Sequence, residues 1–571
     1  MANVADILTD NLDIWTSAIE RRSTAGRGRS KKFSLYGIEK LRALILDLAV
    51  RGKLVPQDPN EEPASVLLES IAKDRKTRLK PRTADFRAAP KILNRTLPNG
   101  WCIARLDCLA NSQAGFAFKS NDFNEIGAGL PLIRIRDVGL QFSGTYYSGE
   151  YREEFVVTEG DYLISMDGEF RVAVWTNGPA LLNQRVSRLQ FYSDKIAKQY
   201  VVIDLQKQLS KLQGVKAYTT VDHLSGKQIS EAEIALPPLA EQHRIVAKVD
   251  ELMALCDRLE AQTYDAIEAH ELLVGNLLAT LPRSQNAEEL AENWARIETH
   301  FDTLLTTEAS VDQLKQTILQ LAVMGKLVPQ DPNDEPASEL LSRIAAAKSR
   351  MISIGKLKST KSPPPIRANE RPFQLPVAWQ WCRLSEAIDV RDGTHDSPKD
   401  ATGNETFPLV TSKDFKNGKI DFENARRISA EDHFIISKRS LVERDDILFS
   451  MIGGNLGNQV QVKTDEQFSV KNVALFKYYD RNMTLPEFIK IFLENIAFDL
   501  QIKASGGAQP FVSLGYLRAV IFALPPVEEQ RRIVAKVKEL FRHLDLIREA
   551  FNCTRVAQVS FADAIASKAV S

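Results

Sequence analysis

An excess of charge of either sign is missing from this chain: its 571 residues carry 74 basic and 74 acidic side chains, a formal net charge of zero. A protein that coats a polyanion by bulk electrostatics is excluded; with a nucleic-acid partner, positive charge must be segregated locally or supplied by another subunit. Long apolar runs are missing too, none approaching the ~20 residues of a membrane-spanning helix. The polar, acidic start (Asn3, Asp6, Asp10) is unlike a secretion signal. We expect a cytoplasmic protein with no membrane contact. Cysteine is scarce: Cys102, Cys108, Cys256, Cys382 and Cys553 are widely spaced and never form a C-x-x-C pair, so neither a disulfide framework nor a zinc site is indicated. They are expected to be ordinary buried thiols.

Catalytic signatures are also absent. Gly52-Lys53 and Gly325-Lys326 are followed by leucine, which supplies no hydroxyl for a nucleotide-bound magnesium ion. Gly453-Gly454-Asn455-Leu456-Gly457 has the wrong spacing for a dinucleotide loop and reads as a turn at the edge of a β domain. Asp58-Pro59-Asn60 and Asp331-Pro332-Asn333 lack the second proline and the aromatic of an amino-methyltransferase motif. His395 and Asp396 have no nameable nucleophile or metal-ligand companion, so His395 reads better as a surface or base-contacting residue than as an acid-base catalyst.

What is present is a chain written twice. Apolar residues make up 44% and charged residues 26%, as in soluble globular proteins, and the length calls for several domains. Residues 48–65 and 321–338 are identical at 16 of 18 positions with an offset of 273. Residues 235–252 and 523–540 agree at 14 of 18 with an offset of 288. Between these blocks, Leu97-Pro98 with Trp101 returns as Leu375-Pro376 with Trp379. The segments enclosed share only a skeleton: Leu130 to Asp137 matches Phe407 to Asp414, and Gly160 to Met166 matches Asp445 to Met451. Both alternate short β-rich runs with Gly, Asn and Asp turns and read as compact, mainly β domains.

The repeated blocks read as helices. Ile245, Val249, Leu252, Cys256 and Leu259 recur in steps of four and three, as do Ile533, Val537, Leu540, Leu544 and Ile547. This is the spacing of a narrow coiled-coil seam. Ile38, Leu41, Ile45 and Leu48 correspond to Val311, Leu314, Ile318 and Leu321 in the helix that begins each half. The expected architecture is α+β: two mainly β domains held apart by long helices in an antiparallel coiled coil, with an internal pseudo-two-fold repeat. The other reading open to the seams is packing of each helix on its own β domain. The expected divisions are 1–96 (helical region and linker), 97–236, 237–374 (helical region and linker), 375–524 and 525–571 (final helix). Residues 76–95 and 350–372 read as exposed linkers. The run from Arg21-Arg22 to Lys31-Lys32 reads as a flexible basic segment able to touch phosphates.

A β domain opened by LP-x-x-W and closed by Leu236-Pro-Pro-Leu-Ala-Glu-Gln-His-Arg-Ile-Val246, then again by Leu524-Pro-Pro-Val-Glu-Glu-Gln-Arg-Arg-Ile-Val534, resembles the target recognition domain boundary of type I restriction-modification specificity subunits. The Gly-Lys-Leu-Val-Pro-Gln-Asp-Pro blocks are similar to one branch of that family, and the likeness covers nearly the whole chain. The resemblance implies a non-catalytic subunit that reads double-stranded DNA beside two methyltransferase and two restriction subunits. Those partners would use S-adenosylmethionine, ATP and Mg2+, and this chain would hold no cofactor. Two unlike readers in one chain imply an asymmetric, two-part site. The competing readings are a duplicated protein-docking adapter without DNA specificity and, disfavoured by the missing motifs, a fused restriction-methylation enzyme.

Under that resemblance the candidate base readers can be named. In Leu132-Ile-Arg-Ile-Arg136 a period of two places Arg134 and Arg136 on one strand face, with Thr411 and Lys413 on the matching face of the second domain. Arginine suits guanine, whereas Asn and Gln suit adenine. The polar loops Asn183, Gln184 and Arg185, and Asn455, Asn458, Lys471 and Asn472, are therefore further candidates, together with His395.

Overall fold

The computed structural model describes residues 10–21, 33–78, 97–215, 223–359, 363–403, 405–504 and 511–570. The basic segment, apart from Arg21, and most of the first linker lie outside the described residues. The chain divides into two compact units: Met1–Asp265 with Thr554–Ser571, and Ala266–Cys553. Among the described residues no helix is long and apolar enough to cross a membrane.

Each unit carries one β domain, and the two share a topology. In the first, an antiparallel four-stranded sheet runs in the order Val172–Val174, Tyr162–Ser165, Val186–Phe191, Ala110–Ala114. In the second, the order is Gln459–Gln461, Ile447–Ser450, Val473–Lys477, Asp389–Asp392, the same strands in the same places. Beside each lies a second sheet holding one parallel pair, five-stranded in the first domain and three-stranded in the second: Leu130–Ile133 with Ala180–Leu182 in the first, and Thr406–Val410 with Ser469–Val470 in the second. The divergence lies in the strand number of this second sheet and in the connections. The second domain has an eleven-residue helix, Ala430–Ser440, where the first has the short turn Glu153–Phe155.

The first and last strands of each domain pair with each other: Cys102–Arg105 with Glu233–Leu236, and Gln380–Arg383 with Ile521–Leu524, both antiparallel. The repeated motifs explain how that ribbon is anchored. Trp101 Nε1 donates to Glu241 Oε2 at 2.9 Å, and Trp379 Nε1 donates to Glu529 Oε2 at 2.8 Å. Burial pushes both carboxyls above the usual carboxylate range, against the tryptophan bonds that lower them. The next residue, Gln242 or Gln530, donates to a carbonyl of its own LPP segment, Pro237 O at 2.8 Å or Pro525 O at 3.1 Å. The glycine of each GKLVPQDP turn sits beneath the same tryptophan. Gly52 and Gly325 have φ of +66° and +71°, and a Cβ on them would lie 2.6 Å from Pro98 Cγ and Pro376 Cγ. Only glycine meets both demands.

Ile38, Leu41, Ile45 and Leu48 are buried on the helix Tyr36–Val50, and Val311, Leu314, Ile318 and Leu321 on Glu308–Val323. The long helices are Leu239–Leu278 and Val527–Val570. Within the first unit, Tyr36–Val50 runs antiparallel to the start of one long helix, with Arg42 on Asp257 at 2.7 Å and Phe33 beside Tyr264. It runs parallel to the end of the other, with Lys40 on Asp563 at 2.6 Å and Lys53 Nζ on Val570 O at 2.9 Å. The second unit repeats the pattern on Glu308–Val323. Lys315 meets Asp545 at 2.6 Å and Asp312 meets Arg548, while Gln313 faces Gly275 and Lys326 Nζ donates to Pro282 O at 2.7 Å. Here Ile533, Val537 and Leu544 join one core with Val311, Leu314, Ile318, Val274 and Leu278.

Three expectations need correction. The linkers are shorter than their composition implies: helices Ala64–Arg78 and Ala337–Ser353 reach into both, driven by buried Leu67 and Ile71 in one and Leu340 and Ile344 in the other. Near the end of the second linker, Glu370 is tied down by Arg383 Nη2 at 2.8 Å. The cysteines are not uniformly buried, since Cys102 and Cys108 are half-buried and Cys553 is exposed. The third concerns the candidate readers.

Candidate DNA interface

Arg134 and Arg136 do not share a strand face. The strand ends at Ile133, and Ile135–Asp137 is a 3-10 turn. The cause is Asp137, which is buried and accepts from Arg134 N and from Ser143 N at 2.7 Å each, pulling the chain out of extension. Asp414 does the same in the second domain, accepting from Thr411 N at 2.7 Å and Thr411 Oγ1 at 2.9 Å, so Thr411 caps the turn Ser412–Asp414 and Lys413 sits within it. An aspartate at the matching place in both runs was the available signal. Short polar side chains that bond nearby backbone N–H groups favour caps and turns over strands.

The turn still delivers the side chains to one place. In the first domain the parallel register sets Leu182 against Ile133, so Arg134 and Asn183 leave the sheet side by side. A third segment crosses there. Phe116 N donates to Leu182 O at 2.9 Å, and Gln184 N returns a bond to Phe116 O at 2.9 Å. The second domain repeats this junction. Val410 faces Val470, Thr394 N donates to Val470 O at 2.9 Å, and Asn472 N donates to Thr394 O at 3.2 Å. A Cβ on Gly115 or Gly393 would overlap the carbonyl of Asn183 or Val470, so the crossing requires glycine. Asn183 and Gln184 thus occupy the places of Lys471 and Asn472.

Around the first junction stand Arg134, exposed Arg136 and Gln184, and Arg185, whose Nε reaches Asp167 Oδ2 at 3.2 Å. Asp167 also holds His223 Nδ1 at 2.6 Å. Asn183 is spent locally, its Oδ1 accepting from Gln184 N at 2.7 Å. Arg152 lies over the ring of Phe116, 5.7 Å from its centroid. Around the second junction, His395 bridges Asp392 Oδ2 at 2.7 Å and Asn472 Oδ1 at 3.1 Å, and Arg439 Nη2 reaches the same Asp392 oxygen at 3.4 Å. Lys471 Nζ bonds Ser397 Oγ, and Asn455 Nδ2 bonds the turn at Ser412 O at 3.4 Å. Asn458 is exposed in the same short connection as Asn455. Sequence reasoning missed Asp167, His223, Asp392 and Arg439. Asp392 stands three residues before His395, a readable hint; Asp167 with His223 and Asp392 with Arg439 are paired only by tertiary structure.

Basic side chains gather on each rim, some of them beside acidic partners: Arg185 on Asp167, Arg152 on Glu154 and Arg439 on Asp392. The first rim gathers Arg134, Arg136, Arg152 and Arg185, and the second gathers Lys413, Arg439 and Lys471 with His395, which its bond to Asn472 and the charge of Asp392 raise above the usual histidine range. Arginine, lysine and asparagine side chains on loops above a rigid sheet are the equipment that contacts phosphates and base edges.

The family described as type I restriction modification DNA specificity domain matches residues 98–269 and again residues 376–552. The class is a protein with two DNA specificity domains. The type I restriction enzyme EcoAI specificity subunit of Escherichia coli is 37% identical over the full length of both chains. The EcoEI specificity subunit of the same species is 34% identical, again over the full length of both. A chain solved in work on complex assembly and conformational transition of the type I R-M system superposes with a TM-score of 0.47 at 17% identity, covering 83% of this chain and 98% of that one. This chain belongs to the type I restriction enzyme specificity subunits.

Proposed function

We propose that the chain reads an asymmetric, two-part sequence in double-stranded DNA, each β domain reading one part through its junction rim, on behalf of two methyltransferase and two restriction subunits in the cytoplasm. The observation that carries this reading is one backbone junction built twice with different side chains. A shared scaffold holds each rim, and the differences between Arg134-Asn183-Gln184-Arg185 and Thr411-Lys471-Asn472-His395 give the two parts different chemistry. The domains are taken as 97–236 and 375–524, between helical regions 1–96, 237–374 and 525–571. This chain holds no cofactor; S-adenosylmethionine, ATP and Mg2+ serve the partners. The two long helices pair as an antiparallel coiled coil. Supporting this, within each unit one long helix runs antiparallel and the other parallel to the same short helix.

The test is selection of duplexes from a randomised pool by the full-length chain, with and without Arg134→Ala and Arg136→Ala. The expected result is a two-part sequence in the unsubstituted protein, and loss of preference in one part only in the variant. A good bidentate arginine contact discriminates by ~1–3 kcal/mol. Enrichment of no sequence would favour a docking adapter and overturn the reading.

A further inference from the structure

We propose that His395 decides which way the Asn472 amide faces, and thereby whether the second domain offers a hydrogen-bond donor or an acceptor to a base edge. The inference rests on the reading of this rim as the DNA-contacting surface.

His395 Nε2 lies 2.7 Å from Asp392 Oδ2, and its Nδ1 lies 3.1 Å from Asn472 Oδ1. A carboxylate oxygen and an amide carbonyl both only accept, so this arrangement is the one that suits the doubly protonated, cationic ring. In that state the Asn472 carbonyl is occupied, and its NH2 group faces outward. When the ring loses one proton, the charged Asp392 retains Nε2–H, because hydrogen bonds to an ionised acceptor are roughly twice as strong as neutral ones. Nδ1 then becomes an acceptor. To satisfy it, the amide turns over, donates its NH2 inward and presents its carbonyl to the outside. The outward face changes from donor to acceptor with no movement of the backbone.

The surroundings fit this division of labour. Asn472 has φ of +55°, a conformation that asparagine tolerates, and Asn472 N and Lys471 N are both bonded, to Thr394 O at 3.2 Å and Val410 O at 2.9 Å. The amide is free to turn while its backbone is not. The charged groups facing His395 are Asp392 from the strand Asp389–Asp392 and Arg439 from the helix Ala430–Ser440. Arg439 opposes the cation and Asp392 supports it, and the Asn472 bond and Asp392 together outweigh Arg439 and burial. Lys471 is engaged by Ser397, and Asp396 is turned by its backbone bond to Thr394 Oγ1 at 3.1 Å. An outward NH2 matches N7 or O6 of guanine, N7 of adenine or O4 of thymine; an outward carbonyl matches the amino groups of cytosine or adenine.

The experiment is selection from a randomised duplex pool by the full-length chain at about pH 6 and about pH 8.5, below and well above the ordinary histidine value of about 6.5, from which that of His395 is raised. In the unsubstituted protein, one position of one part should change its base preference between the two conditions by about fivefold or more, the equivalent of ~1 kcal/mol of discrimination. In His395→Phe that position should read the same base at both. If that variant loses the whole part, His395→Gln, which does not titrate, replaces it, and the other part reports that the chain is folded. No change of preference in the unsubstituted protein, or a change that persists without His395, overturns the proposal. Asn472→Ala separates the two layers. If it relaxes the position that changes with pH, the proposal stands. If it relaxes one position while pH changes none, the proposal alone fails; if it changes nothing at either pH, the proposal fails, and the reading of the rim fails with it only where the selection enriches no sequence for that part.

Discussion

At the scale of single residues, the two tryptophan–glutamate bonds show how a repeated motif becomes a physical constraint. Glu241 and Glu529 are almost wholly buried, and burial pushes both carboxyls up. A carboxyl raised on folding binds its proton more readily in the folded chain than in the unfolded one. Its stabilising contribution is therefore complete below the ordinary glutamate value, about 4.3, and is lost as pH rises through the raised folded value. Replacing both with glutamine removes the ionisation while keeping an oxygen for Trp101 and Trp379; the Gln330 side chain, which now donates to Glu529 at 2.6 Å, turns over to accept. Melting temperatures measured from weakly acidic to neutral pH should show E241Q/E529Q gaining on the unsubstituted protein as pH rises. A constant difference would mean that these groups do not titrate across folding. Trp379→Phe, by contrast, leaves a buried carboxylate short of a donor and should cost about 1–3 kcal/mol.

At the scale of elements, the GKLVPQDP turn is legible as a turn, but its role depends on what lies above it. Gly325 combines φ of +71° with Pro376 Cγ at 2.6 Å and Trp379 at 3.0 Å from an added Cβ, whereas Gly355 has φ of +73° with nothing within 4 Å. Alanine at either position meets the left-handed backbone cost of about 1–2 kcal/mol. Only Gly325→Ala also collides with the boundary motif, so its denaturation midpoint should fall clearly below that of Gly355→Ala. Equal losses would show that the turn does not press on the tryptophan. The strand period failed at Arg134 and Arg136 for an equally local reason: Asp137 offers the backbone a bond partner that an isolated strand lacks.

At the scale of the whole molecule, each β domain begins and ends on one two-stranded ribbon, Cys102 facing Leu236 and Gln380 facing Leu524. A segment whose ends are adjacent can be exchanged without changing the path of the rest of the chain. Replacing residues 97–236 with the corresponding segment of a related subunit should therefore change one part of the DNA sequence and leave the other intact, as read by mapping methylated sites in cells carrying the complete system. Simultaneous change of both parts would contradict independent reading. Because phosphate contacts displace counterions, binding should also weaken steeply with salt despite the chain's zero net charge.

Duplication, helix periodicity and membership of the family were legible in the residues alone, because near-identity at 16 of 18 positions and a four-three apolar spacing are properties of the chain in one dimension. The candidates Asn183, Gln184, Lys471 and Asn472 were legible as polar loops, but their equivalence was not, since it follows from a parallel strand register and a glycine crossing between distant segments. Asp392 beside His395 was a hint within the sequence, but tertiary structure alone brought Arg439 to Asp392, and Arg185 and His223 to Asp167. Local pattern records which face a residue presents to its own element. Which charges share a rim is decided by strand order, and strand order is set by contacts between residues far apart in the chain.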